Sequence, residues 1–174
     1  MKEWWLRTPL VLQAPRAVFV ALRDDSPEAA SNRAEPVLLV VLLAGIALAL
    51  ASNAAKSYHG VTLPVLLFIA GGITGATAYF AFGALLYLSA RALGSLGSFR
   101  RARHVLAFAA VPLALSLVAS PAGRSAFSWI IFAFVAWSAA LLVIGVRAVH
   151  GWTWLRAAVA VAPPLAAAAL LLTL

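Results

Sequence analysis

The sequence predicts an all-α, polytopic membrane protein: a bundle of five transmembrane helices with an N-terminal interfacial amphipathic helix, N-terminus inside and C-terminus outside. Three observations predict it. Apolar residues make up 64% of the chain and charged ones 10%, with a mean hydropathy of +1.00, against roughly 45 to 50% and 25% in soluble domains. All five acids, Glu3, Asp24, Asp25, Glu28 and Glu35, lie in the first 35 residues, where five Lys and Arg balance them. The remainder carries eight Lys or Arg and no acid, so the whole net charge of +8 belongs to it and its partners should be anionic. Cysteine is absent, which excludes disulfide scaffolds, iron–sulfur centres and thiol catalysis.

Residues 1–35 form a cytoplasmic or interfacial segment. Arg7, Arg16 and Arg23 break every apolar run below the ~20 residues that a span needs, which also argues against a signal peptide. Pro15 suits the first position of a short helix. Arg16 and Arg23, seven residues apart, share a face of it and are expected to point at lipid phosphate. Ser26-Pro27 reads as a cap and start for a further helical turn.

Residues 36–174 form the membrane domain, with spans expected at 36–55, 68–93, 102–120, 126–147 and 156–174. The run 61–90 is too long for one perpendicular span and too short for two, and Pro64 and Gly71-Gly72 offer places for a bend. It therefore reads as an interfacial lead-in followed by a span. Gly71, Gly75, Tyr79, Gly83 and Tyr87 recur every fourth residue, so they line one face. Glycine admits a neighbouring backbone, as helix association in lipid requires; the other use of such a face is a groove for a lipid tail. Ser98 is placed to cap the third span, and Pro112 breaks that span near its middle. Pro163 and Pro164 remove two backbone donors from the fifth, where a kink is expected.

Arg91, Arg100, Arg101, Arg103 and His104 cluster around the turn between the second and third spans. With Arg16 and Arg23 they are the candidate contacts for anionic phospholipid or for an acidic protein partner. The simpler use of such a turn is to set orientation. With five spans, eleven of the thirteen Lys and Arg fall on the N-terminal side and two, Lys56 and Arg124, on the other, which puts the N-terminus in the cytoplasm.

The residues resemble the Yip (Ypt/Rab-interacting protein) domain family, bacterial branch, across nearly the whole chain. The resemblance rests on Ala14-Pro15-Arg16-Ala17-Val18-Phe19 with Asp24-Asp25-Ser26-Pro27 after it, on Gly97-Ser98-Phe99-Arg100 leading to Pro112, and on Trp137, Leu141, Gly145 and Arg147 before a final span of small residues. One departure is Phe108-Ala109-Ala110-Val111, where the family often has a tyrosine before the proline. The resemblance implies five spans with a cytoplasmic N-terminus. It also implies a role in recognition, since eukaryotic relatives bind Rab-type GTPases in vesicle traffic and some bacterial members look like partners of transport systems.

An enzyme is not expected. The spans hold no carboxylate, and His59, His104 and His150 fall in turns or at span ends on both sides, which argues against a metal site. No cofactor and no nucleic acid are expected. The expected function is a plasma-membrane adaptor or scaffold for lipids and for another membrane or peripheral protein. The alternative is an uncoupled conduit for lipid or a small solute, since coupled carriers place an acid in a span. Exposed small-residue faces leave room for a homo-oligomer.

Overall fold

The computed structural model describes residues 2–51, 62–122 and 124–173. Lys56 and His59 therefore lie outside the described residues, as does the end of the first span beyond Ala51. Three short helices come first: α1 (Lys2–Leu10), α2 (Pro15–Ala21) and α3 (Pro27–Asn32). Pro15 and Pro27 open α2 and α3, and the Ser26 hydroxyl accepts from Ala29 N at 3.2 Å. The long helices follow: α4 (Ala34–Ala51), α5 (Thr62–Ala92), the pair α6 (Phe99–Ala109) and α7 (Val111–Leu115), a 3-10 turn (Ser116–Ala122), α8 (Arg124–His150) and α9 (Trp154–Thr173).

Among the described residues, Ala34–Ala51, Phe68–Ala92 and Trp129–His150 are long and apolar enough to cross a membrane. Phe99–Ala109 and Val111–Ala119 add a fourth candidate bent by 40°, and Trp154–Leu170 is a shorter apolar helix. The chain is thus a multi-pass, all-helical membrane protein. The bend follows from Pro112, which is buried and has no N–H to continue the ladder.

Two long helices run on through their glycine and proline positions. The long run is a single helix of 31 residues, or about 46 Å, and Gly71-Gly72 do not interrupt it. The glycines serve packing against α4: a Cβ at Gly75 would run into Val41 O, and one at Gly45 would come within 2.7 Å of Gly75 N. Backbones that close leave room for nothing larger than hydrogen. In α9 the helix continues through Pro163 and Pro164. Pro164 cannot donate to Ala160 O, and the Ser89 hydroxyl of α5 donates to that carbonyl in its place.

The first 35 residues join the same core. Val11, Val18, Phe19 and Leu22 are buried with Val105 and Phe108 of α6 and Leu141 and Val146 of α8. Phe19 lies against Gly145, where a Cβ would come within 2.9 Å of its ring. α2 is therefore held by its apolar face against α8, and Arg23 just after it is tied to the same helix: Nε and Nη2 both donate to Ala148 O, at 3.1 and 2.7 Å.

Candidate functional site

One end of the bundle gathers the polar residues. It is built from the turn 22–26, the C-terminal end of α5, the loop 93–98, the start of α6, the end of α8 and the start of α9. The loop is rigid for local reasons. Gly94, at φ +83°, ends α5 in a left-handed turn, Ser95 N donates to Ala90 O and Gly94 N to Arg91 O, both at 2.9 Å. Ser98 then caps α6, its hydroxyl accepting from Arg101 N at 3.0 Å.

Asp25 is the centre of this end. Its carboxylate accepts from the Ser98 hydroxyl and from Arg100 Nε at 3.2 Å, and pairs with Arg33 Nη2 at 3.5 Å and Arg101 Nε at 3.9 Å. Arg100 also donates to the Asp25 backbone oxygen, and Arg101 Nη2 to Arg23 O at 2.8 Å. Burial pushes the Asp25 carboxyl up, but the hydrogen bonds from Ser98 and Arg100 and the charges of Arg100 and Arg101 outweigh it and hold the group below its usual range. The Ser26 amide and hydroxyl do the same for exposed Asp24.

Arg33 is fully buried. Burial lowers its pKa, and Asp25 and Asp24 work against that loss. Its other donors are satisfied too: Nη1 reaches Asp24 O and Nε reaches His104 Nδ1, both at 2.8 Å. A guanidinium can only donate, so His104 Nδ1 presents its lone pair and the ring is neutral with its proton on Nε2. Trp4 closes the site, 5.6 Å from the Arg33 guanidinium and 5.4 Å from the Phe108 ring.

The predicted basic residues therefore divide. Arg100, Arg101 and His104 meet the N-terminal segment, and Arg23, which belongs to that segment, meets Ala148 of α8. Arg16 is exposed on α2, and Arg91 is exposed 5.9 Å from the Tyr87 ring. Arg103 lies among Tyr79, Phe80 and Phe99 at 5.0, 4.6 and 4.6 Å. Of the predicted seam, Gly71 and Gly75 face α4, Gly83 faces Arg103, buried Tyr79 meets Arg103, and Tyr87 meets Phe99 edge-on at 5.8 Å. Pro112 and Pro164 are buried and Pro163 is exposed.

Sequence reasoning missed Asp25 and Arg33 as the centre of the site. The available signal was the acid-bearing N-terminal segment beside an acid-free basic domain, which asks for a pairing between the two. Arg147, 4.2 Å from Trp154, and Arg156, 4.5 Å from Trp152, also lie at this end. Among the described residues no three of His, Asp or Glu lie together as a metal site would need.

A family model described as Yip1 domain matches residues 10–174. No curated protein and no solved structure matched the chain.

Proposed function

The chain belongs to the Yip1 domain family, and from that premise we propose that it is a non-enzymatic membrane adaptor. It crosses the plasma membrane five times with its N-terminus in the cytoplasm, and its basic end holds a protein partner or anionic lipid for a transport or trafficking assembly. The observation that carries this reading is the Asp25 cluster. An acid from the segment before the first span joins Ser98, Arg100 and Arg101 of the loop between α5 and α6. The result is one fixed polar face made from parts far apart in sequence. Fixed faces rimmed with exposed arginine suit recognition, because little conformational freedom remains to be lost on binding.

The test is purification from membranes in mild detergent after brief cross-linking, comparing the native chain with Asp25→Asn. The reading predicts a stoichiometric membrane or peripheral protein with the native chain and its loss with the variant. Recovery of the chain alone, or equal recovery by both forms, would contradict it.

A further inference from the structure

Arg103 is the arginine that the Asp25 cluster leaves out. Its side chain crosses α5 at Gly83, where any Cβ would collide with Arg103 Cγ. Its guanidinium then rests among three rings, Tyr79, Phe80 and Phe99. No acid or hydrogen-bond acceptor among the described residues meets it, and its Nε is buried without a partner. Rings occupy the faces of a guanidinium and leave its in-plane N–H groups free. Arg103 is thus a cation that no acid among the described residues neutralises, set among three rings where α6 crosses α5 at Gly83.

The box opens sideways. Phe80 is 52% exposed, on the same side of α5 as exposed Ile73. It lies eleven residues before Arg91, about 17 Å along the axis from the basic loop. The depth follows from the neighbouring residue: His104 is bonded to Arg33, which immediately precedes the apolar helix α4. Arg103 therefore lies near the start of α4 and one turn inside the candidate span that opens at Phe99, where a side chain of its length can extend toward headgroup phosphates. A soluble protein approaching the loop does not reach this level from the side, whereas a phospholipid does.

We propose that the box of Arg103, Tyr79, Phe80 and Phe99 binds the phosphodiester of a membrane phospholipid. The guanidinium fork supplies paired hydrogen bonds to two phosphate oxygens, and the exposed Phe80 ring packs against the upper acyl chain. This deepens the reading of the chain as a membrane-embedded recognition protein by naming a ligand for a second site, and it rests on that reading only for the membrane setting.

The experiment uses the full chain in detergent, with bound lipid counted by native mass spectrometry. The probe is a phosphatidylglycerol, with a diacylglycerol of the same chains and free glycerol phosphate as comparators. The native chain is expected to retain one phosphatidylglycerol. Arg103→Gln should lower retention about tenfold or more, the loss of charge-assisted bonds to phosphate. Arg103→Lys, which keeps the charge but not the fork, should fall between the two and guards against a folding artefact. Arg100→Gln, in the Asp25 cluster, should leave retention unchanged even where it weakens partner capture, so the two proposals fail separately. Equal retention of diacylglycerol, displacement of the lipid by glycerol phosphate, or full retention by Arg103→Gln would each overturn the assignment.

Discussion

Two sets of arginines occupy the same end of this molecule, and they are held by opposite means. Arg33, Arg100 and Arg101 converge on one carboxylate, Asp25. Arg91, Arg103 and Arg147 meet no acid among the described residues and lie over aromatic rings. The first set is cross-linked by charge and fixes the N-terminal segment. The second is positioned by ring faces, and Arg103 and Arg147 each keep a buried Nε that no acceptor among the described residues meets. A count of basic residues reports the sum of the two and hides the division, which the fold makes by delivering a single acid to the middle of the loop.

The largest way to break the comparison is Asp25→Asn. It leaves Arg33 fully buried without its ion pair, and removing one partner of a buried pair costs about 3–5 kcal/mol. Chemical unfolding in detergent measures the loss. The Arg103→Gln variant is the counterpart in the second set. Its stability should fall by only about 1 kcal/mol, the scale of a partly exposed cation–π contact, while its lipid retention falls much further.

Acid sharpens the comparison next. The Asp25 carboxyl is held below its usual pKa, so it contributes stability above the unfolded value and loses it as pH falls through the folded value. An acid titration should weaken the native chain below about pH 4, and the Asp25→Asn variant should lack most of that component. An Arg103→Gln variant should keep it.

The smallest effect lies outside both sets and gives a scale for one hydrogen bond in this bundle. Ser89→Ala removes the donor to Ala160 O and should cost about 1 kcal/mol. The cost should shrink when Pro164→Ala restores a backbone donor to that carbonyl.

Much of the fold was legible in the sequence. The helices α4, α5, α8 and α9, the bend at Pro112, and the caps at Ser26 and Ser98 follow from local rules of hydropathy, proline and capping. The Gly71 and Gly75 face was legible as a seam, but its partner, Gly45 with Val41 on α4, was not, because periodicity on one helix does not say which neighbour it meets. The bond from Ser89 of α5 to Ala160 O, the carbonyl that Pro164 cannot serve, was also hidden, since its donor comes from another helix. The centre of the site was hidden for the same reason. Asp25 and Ser98 are 73 residues apart, and an acidic pair ahead of a helix start has the same sequence appearance whether it is solvated or buried under arginines.

The most direct measurement is a pair of double-mutant cycles on unfolding free energy, Asp25→Asn with Arg100→Gln and Asp25→Asn with Arg103→Gln. The account predicts coupling of about 1 kcal/mol in the first cycle, where Arg100 Nε and the carboxylate are 3.2 Å apart. It predicts coupling near zero in the second. Equal coupling in both cycles, or none in the first, would contradict the division of the arginines into two sets.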